Sequence, residues 1–316
     1  MIRKREVLVY LLTGFLESGK TSFIREVIRE GQFADGKATL YIRCEEGIEE
    51  LDDATMTDNR FILRVVEEEE EITPEYLKKC EEYIKPDRVV IEYNGTWDPD
   101  RLIEAFPESW MLVEGIATVD STTFEQYLSN MKQMMTRQFA YADLIVFNRS
   151  DRESMNLAAY KRKARAVNRR SQVIFEMKDG SVDPNIREEL PYSLDDEVIE
   201  ITDEDYGIWY LDCYEHLDSY LGKVVRFKGY VYKPRHGKGK FFVAGRRCMT
   251  CCEADIQFYG FPCAYEEEGK LKDRDVVMVT AEVMTTKRPD VDEPVPALLA
   301  REVEKTEPPA EEIVFF

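Results

Sequence analysis

Short apolar runs recur through the first 180 residues, and amphipathic helical stretches separate them. The runs are rich in Val, Ile and Leu and lack polar alternation, which is typical of strands covered on both faces. This pattern predicts an α/β domain with a mostly parallel sheet and helices on both faces. The predicted strands span residues 7–12, 38–42, 88–91, 111–119, 144–147 and 172–175, and the predicted helices span 22–29, 74–84, 101–106, 124–141 and 155–167.

The pattern changes after the first domain, which we place at residues 1–180. Residues 181–205 are acidic and contain prolines, so we predict a linker there. Residues 206–316 form a second domain with a short helix near 211–221 and then strand-like runs separated by turn residues. A small closed or half-closed β-barrel of an OB-like kind is the expected fold. The predicted strands of this domain span residues 223–232, 240–246, 255–261, 275–283 and 297–303.

Charge and hydropathy narrow the classes of function. The formal net charge is −20, which disfavours nucleic acid or an anionic membrane surface as a partner and suits solubility, cation handling or a basic protein partner. No apolar run approaches the roughly 18–20 residues of a membrane-spanning helix. The apolar run at 7–12 is too short for a secretory segment. We therefore expect a cytoplasmic protein that does not itself span a membrane.

A glycine-rich loop follows the first predicted strand and precedes the first helix. Residues 14–21 read G-F-L-E-S-G-K-T and match the phosphate-binding pattern G-x-x-x-x-G-K-[ST]. Backbone N–H groups and the helix N-terminus are expected to surround phosphate oxygens, with Lys20 reaching the β- and γ-phosphates and Thr21 holding Mg²⁺. The predicted nucleotide contacts of this loop are Gly14, Glu17, Ser18, Gly19, Lys20, Thr21 and Ser22.

A second motif predicts the base. Residues 148–151 read N-R-S-D after a buried-strand run and resemble the N-K-x-D motif of GTPases. A carboxylate at Asp151 can accept hydrogen bonds from the guanine N1–H and the exocyclic amine, a donor pair that adenine lacks. Asn148 would brace the loop and contact the base, and Arg149 would cover the base face in place of the usual lysine. A plain turn is the alternative, but the phosphate loop upstream favours GTP.

Together the motifs resemble those of the CobW-like metallochaperone GTPases, relatives of the nickel-insertion GTPases of urease and hydrogenase. Residues 13–21 are similar to the family's T-G-F-L-G-A-G-K-T loop, and 42–47 to its E-N-E-F-G segment, with Asn and Phe unmatched. Residues 91–95 resemble E-T-[TS]-G, 98–99 the following D-P, and 119–120 the V-D that ends the fourth strand. The resemblance covers about residues 6–177 and implies a P-loop NTPase fold with GTP and Mg²⁺ as cofactors.

The resemblance also implies roles for single residues. Glu92 would lie near Mg²⁺ or its waters, Gly95 near the γ-phosphate, and Glu45 would orient water or Mg²⁺. The candidate catalytic residues are therefore Lys20, Glu45 and Glu92, and the candidate Mg²⁺ ligands are Thr21 and Glu92. One feature departs from the family: its C-x-C-C metal motif has no counterpart, because residues 49–74 contain no cysteine.

A cysteine cluster in the second domain offers another metal site. The chain has seven cysteines, and an odd number in a cytoplasmic protein argues against a disulfide framework. If the strand at 255–261 returns past its turn, four thiolates could bind Zn²⁺, with Cu(I) or an iron–sulfur cluster also open. Buried packing and redox chemistry are the alternatives. The candidate ligands are Cys248, Cys251, Cys252 and Cys263, with His216, His236 and Asp255 as substitutes.

The second domain has its own resemblance, to the soluble C-terminal domain of YcgQ-like permease subunits. Residues 222–231 follow G-K-x-V-x-x-x-G-[FY]-V, and residues 251–255 follow C-C-x-A-D. Those proteins are membrane proteins thought to work with a partner permease, and their membrane segments have no counterpart in this sequence. The resemblance implies a permease as one candidate partner.

Three functions compete on this basis. The leading hypothesis is a GTP hydrolase whose nucleotide state controls the binding of a metal, zinc first, or its delivery to a client protein. The second is a regulatory adaptor that docks a membrane permease with GTP as a timer. The third is a P-loop small-molecule kinase. Family resemblance also implies a homodimer around the nucleotide.

Overall fold

Two compact units, Met1–Ile186 and Arg187–Phe316, make up the protein in a computed structural model. The division falls inside the predicted linker. The structure describes residues 6–45, 47, 51–184, 186, 190–234, 240–249, 256–288 and 291–315.

The first unit is built on an eight-stranded sheet. Its strands are β1 (Val7–Thr13), β2 (Thr39–Arg43), β3 (Phe61–Val65), β4 (Arg88–Glu92), β5 (Trp110–Asp120), β6 (Leu144–Ser150), β7 (Gln172–Met177) and β8 (Val182–Asp183). The spatial order is β3-β2-β4-β1-β5-β6-β7-β8. Every neighbouring pair is parallel except β7 with β8, which confirms the predicted mostly parallel sheet. All six predicted strands are present, and β3 and β8 are additional.

Seven α-helices in the described residues of this unit lie between the strands. They are α1 (Lys20–Arg29), α2 (Asp53–Asp58), α3 (Pro74–Ile84), α4 (Pro99–Glu104), α5 (Phe124–Asn130), α6 (Lys132–Ala140) and α7 (Leu157–Val167). The Thr73 side chain caps α3 by accepting from the backbone N–H of Tyr76, with Pro74 in the first turn. The single helix predicted at 124–141 is wrong, because Met131 leaves helical geometry (φ −134°, ψ 41°) and separates α5 from α6.

Alternate residues of the central strands face opposite helical layers. On β4, Val89 and Ile91 pack in the same cluster as Leu77 of α3. Val90 points to the other face, in a cluster with Ile24 of α1. Each such fully buried side chain contributes about 1.5–3 kcal/mol. This double coverage explains the uninterrupted apolar runs. Because the strands are parallel, their carboxyl ends lie at one edge of the sheet, where ligands bind in open α/β sheets.

The second unit is a closed barrel with short helices. Its elements are β9 (Ile199–Ile201), α8 (Tyr206–Glu215), α9 (Leu217–Tyr220), β10 (Val224–Tyr232), β11 (Phe241–Met249), β12 (Gln257–Ala264), β13 (Val276–Arg288), β14 (Val291–Lys305) and β15 (Ile313–Phe315). The order is β15-β11-β12-β14-β13-β10-β9, and β11 also pairs with β10. Strands β10 to β14 therefore close into the predicted five-stranded barrel. Trp209 of α8 is buried against two of its strands, with its ring centroid 4.8 Å from those of Phe227 and Phe261.

The segment predicted as a linker contributes to both sheets. β8 pairs with β7 in the first unit, and β9 pairs in parallel with β10 in the second. Only the middle of 181–205 therefore connects the units, because each end gains ladder hydrogen bonds from the adjacent sheet. Among the described residues, no helix is both long and apolar enough to cross a bilayer.

Candidate functional site

The loop between β1 and α1 has the strained backbone that its glycines permit. Gly14 has φ 141° and Gly19 has φ 98°. A Cβ atom on Gly14 would lie 2.4 Å from the Ser18 Oγ, and one on Gly19 would lie 2.6 Å from the Asn148 Nδ2. Both positions therefore exclude larger residues, as expected of a loop that wraps phosphate oxygens with its backbone.

Lys20 is buried at the start of α1 and is held by its own loop. Its Nζ donates to the carbonyl oxygens of Gly14 (2.7 Å) and Phe15 (3.0 Å). It also forms an ion pair with Glu45, which lies just after β2. Burial raises the pKa of Glu45, and the positive charge of Lys20 offsets part of that rise. A phosphate group would therefore compete with Glu45 for the lysine.

Thr21 and Glu92 meet where α1 begins and β4 ends. The Thr21 Oγ1 donates to the Glu92 Oε1 at 2.6 Å, and the Tyr41 hydroxyl donates to the Glu92 Oε2. Burial and the nearby Glu92 raise the pKa of Tyr41 well above its ordinary value, so the phenol stays a donor. A hydroxyl and a carboxylate are hard oxygen ligands of the kind Mg²⁺ prefers. The two predicted Mg²⁺ ligands therefore fit that ion.

An open cavity of about 170 Å³ lies over these groups. It is lined by Glu17, Gly19, Lys20, Thr21, Ser22, Glu45, Gly47, Glu92 and Arg149. These residues come from the loop after β1, the start of α1, the segment after β2 and the carboxyl ends of β4 and β6. The structure thus brings most of the residues predicted from separate motifs to one place.

The carboxyl end of β6 is tied to the phosphate loop by hydrogen bonds. The Asn148 Nδ2 donates to the Ser18 carbonyl at 2.6 Å, and the Arg149 Nη1 donates to the Glu17 carbonyl at 3.2 Å. Arg149 also forms an ion pair with Asp120 at the end of β5. Among the described residues, the buried Asn148 Oδ1 has no hydrogen-bond partner. A ligand spanning the two loops would meet both motifs at once.

Asp151 lies at the same edge, beside the end of β7. Its Oδ2 is 2.8 Å from the Lys178 Nζ, and its Oδ1 accepts from the Glu153 N–H at 3.0 Å. The hydrogen bond from Lys178 is the main cause that lowers the pKa of Asp151 to about 2. The side chain is therefore an ionised acceptor near neutral pH, which the predicted recognition of guanine requires.

Gly95 packs its backbone against the phosphate loop. A Cβ atom there would lie 2.4 Å from the Gly14 carbonyl oxygen. The buried side chain of Gln138, on α6, donates from its Nε2 to the Gly95 carbonyl at 2.8 Å. The segment after β4 is therefore held where it can respond to whatever occupies the phosphate loop.

Three side chains of this site carry no motif in the sequence: Tyr41, Gln138 and Lys178. Tyr41 and Gln138 stand at positions that hydrophobic periodicity assigns to packing. A tyrosine in an aliphatic strand beside the glutamate strand is a weak signal that could have indicated Tyr41. Lys178 follows β7 at the same sheet edge as the N-R-S-D segment, and its place in the site becomes visible only once β7 is known to pair with β6.

The cysteine cluster is not brought together as predicted. In the ladder of β11 and β12, Cys248 lies opposite Gln257, whereas Cys263 lies opposite Phe242. Six residues of strand separate the two thiols, which is about 20 Å. One ion cannot bind both, so the four-thiolate site is wrong. Cys251, Cys252, Asp255 and His236 lie outside the described residues. Within the residues that are described, no group of three or more His, Cys, Asp or Glu side chains could hold a metal ion.

The described thiols are buried. Cys44, at the end of β2, is 1% exposed and packs in the core, as its isolation in the sequence suggests. Burial raises the pKa of Cys263 to about 12. Thiols in such surroundings are poor nucleophiles and poor ligands. The remaining alternative ligand, His216, lies 3.8 Å from the Asp212 carboxylate.

Comparison with known proteins gives matches over both units. A model of the "CobW/HypB/UreG, nucleotide-binding domain" matches residues 8–175, and a model of the "DUF1980 C-terminal domain" matches residues 176–316. The zinc chaperone YjiA of Escherichia coli (strain K12) is 27% identical over 194 residues, covering 56% of this chain and 59% of YjiA. The zinc chaperone CobW of Sinorhizobium sp is 27% identical over 215 residues, covering 54% and 59%.

The chain thus spans less than two thirds of the length of either relative. Among solved structures, the hydrogenase maturation factor HypB from Archaeoglobus fulgidus is similar, with 16% identity and a TM-score of 0.38. That match covers 55% of this chain and 83% of HypB.

Proposed function

Because the chain belongs to the CobW/HypB/UreG nucleotide-binding family, we propose that it binds GTP with Mg²⁺ and hydrolyses it. The observation that carries the proposal is the joining of the two nucleotide loops. Asn148 and Arg149 of the N-R-S-D motif, which is predicted to bind the base, donate to carbonyl oxygens of the phosphate loop. A nucleotide that reaches from Lys20 to Asp151 would engage a single preorganised surface, which lowers the cost of ordering it.

The residues of the cavity support the proposed hydrolysis. Lys20 would leave Glu45 and donate to the phosphate oxygens, so that its charge and the loop N–H groups stabilise the transferring phosphoryl group. Thr21 and Glu92 would hold Mg²⁺, which neutralises charge on the terminal phosphates. Glu45, once released from Lys20, would orient the attacking water.

We further propose that the nucleotide state controls a metal cargo, with zinc as the first candidate. Two similar proteins are named zinc chaperones. Exchange of Glu45 for phosphate on Lys20 would change the contacts of Glu45, and we propose that cargo binding depends on this nucleotide-linked change. Cys251 and Cys252, which lie outside the described residues, are the candidate cargo ligands, whereas Cys248 is buried. Equal zinc content in the wild type and a Cys251→Ser, Cys252→Ser variant would remove that candidate.

A regulatory adaptor is the second candidate function. It is supported by the closed barrel, which forms its own compact unit and so could bind a partner such as a permease while the first unit acts as a timer. Capture of a permease that depends on GTP but not on zinc would favour this function over metal delivery. A cytoplasmic location and a nucleotide-linked homodimer accompany both proposals, and fractionation and sedimentation with GTP test them.

Direct nucleotide titration tests the core proposal. Fluorescent GTP and ATP analogues are titrated into the purified protein with Mg²⁺, and phosphate release is followed for both. We expect GTP to bind more tightly than ATP and to be hydrolysed, and Lys20→Ala to abolish the binding. Lys163→Ala is the matched control, because it removes a lysine of α7 that is paired with Glu125 of α5 and does not line the cavity. Tighter binding of ATP than of GTP would refute the proposal.

A further inference from the structure

The base-recognition edge of guanine carries three polar groups, and Asp151 can satisfy only two of them. A carboxylate accepts hydrogen bonds, so it suits the N1–H and the exocyclic amine. The neighbouring O6 atom is an acceptor and needs a donor. Adenine carries an amine donor in place of O6. A donor placed beside Asp151 would therefore distinguish the two bases on its own.

Lys178 is the side chain that stands in this position. It directly follows β7, and its backbone N–H donates to the Ser150 carbonyl at 3.1 Å, which fixes it against the loop that carries Asp151. Its Nζ lies 2.8 Å from the Asp151 Oδ2. The side chain of Lys178 is 57% exposed and that of Asp151 27% exposed, so both are accessible to a ligand from solvent.

We propose that Lys178 is a specificity-determining residue that donates a hydrogen bond to the O6 atom of guanine. The ammonium group has three donors, so it can keep its bond to Asp151 and offer another N–H to the base. Adenine would present its own amine to this ammonium group, and two donors facing each other disfavour binding. Asp151 and Lys178 thus form one acceptor–donor pair that is complementary to adjacent atoms of guanine. This inference rests on the proposed binding of GTP.

Binding of three nucleotides distinguishes the contribution of Lys178 from that of Asp151. GTP presents all three groups, 6-thio-GTP replaces O6 by a sulfur that accepts hydrogen bonds weakly, and ITP lacks the exocyclic amine. Equilibrium binding of each is measured with Mg²⁺ for the wild type, for Lys178→Met and for Asp151→Ala. Lys163→Met serves as the control, since it also removes an ion-paired lysine from this unit.

We expect the wild type to prefer GTP over 6-thio-GTP by about tenfold, which is the order of one charge-assisted hydrogen bond. Lys178→Met should remove that preference. It should leave the ratio of the affinities for GTP and ITP unchanged. Asp151→Ala should instead reduce the preference for GTP over ITP, measured as the ratio of their affinities. Equal weakening of all three nucleotides by Lys178→Met would overturn the inference, because a lysine that only supports Asp151 or attracts phosphate acts on each alike. An unchanged preference would also overturn it.

The proposed function is checked separately by the preference of the wild type for GTP over ATP. A wild type without that preference fails as a GTP-binding protein. If the wild type prefers GTP over ATP but Lys178→Met still prefers GTP over 6-thio-GTP, the proposed role of Lys178 is contradicted. The proposed binding of GTP is then unaffected.

Discussion

Replacing Glu45 by glutamine should make the protein bind nucleotide more tightly while it hydrolyses GTP more slowly. In the structure Glu45 is paired with Lys20, the lysine that we propose binds phosphate. The substitution removes a competitor for Lys20 and also removes a negative charge from beside the incoming phosphates. Both effects favour binding. The loss of the residue that would orient water acts on hydrolysis alone.

The size of the effect follows from the burial of the pair. Two unit charges about 4 Å apart attract by about 4 kcal/mol at an effective dielectric constant of about 20. Burial of Glu45, visible in its raised pKa, cancels much of this attraction. Lys20 also keeps two carbonyl acceptors after the change. A net gain of about 1.4 kcal/mol, which corresponds to about tenfold tighter binding, is therefore the expected magnitude.

The assay is calorimetric titration of GDP without Mg²⁺, so that hydrolysis and metal binding do not contribute. Single-turnover hydrolysis of GTP with Mg²⁺ is measured beside it. Glu26→Gln is the matched control, because Glu26 lies on the exposed face of α1, paired with Arg29, and does not contact Lys20. Weaker GDP binding by Glu45→Gln would refute the reasoning, as would a gain of the same size in Glu26→Gln.

Three further predictions follow from the contacts of the site. Tyr41→Phe removes a donor that fixes Glu92 and should weaken Mg²⁺ binding to the GDP complex about tenfold in a fluorescence titration, whereas Tyr10→Phe should not. Gly95→Ala places a Cβ atom 2.4 Å from the Gly14 carbonyl and should lower the free energy of unfolding by about 1–3 kcal/mol and impair nucleotide binding, with Gly269→Ala, which meets open space, as the control. The pKa of Asp151 is lowered to about 2, so its interactions as a carboxylate are lost only as the pH falls towards that value. The preference for GTP over ITP should therefore be the same at about pH 5 and about pH 8, and a loss at the lower pH would contradict the assignment.

Local sequence rules predicted the parts of the site that depend on backbone geometry. Gly14 and Gly19 have positive φ angles, which favour glycine. A run of apolar residues followed by N-R-S-D indicates the end of a strand. These features are written in consecutive residues. Lys20 and Asp151 could be assigned roles for the same reason, since each belongs to a motif with a fixed local shape.

Features that depend on which strands become neighbours could not be read in this way. Tyr41 contacts Glu92 because β2 lies beside β4, and Lys178 contacts Asp151 because β7 lies beside β6. For Cys263, nearness in sequence suggested a contact that does not form. It is close to Cys248 along the chain, but the register of β11 with β12 places the two cysteines far apart. The short strand β9 was not predicted for a similar reason. It forms because it pairs with β10, although the residues around it are acidic.

The way Lys20 is held has a consequence for competition among anions in the cell. Its charge is already met by a carboxylate and two carbonyl groups, so Lys20 presents little uncompensated positive potential. A simple anion such as inorganic phosphate or sulfate would have to displace these groups with no further contacts to offset the loss. A guanine nucleotide brings its base and several phosphate oxygens to the same exchange. The site should therefore stay free of abundant small anions and respond to guanine nucleotides at much lower concentrations.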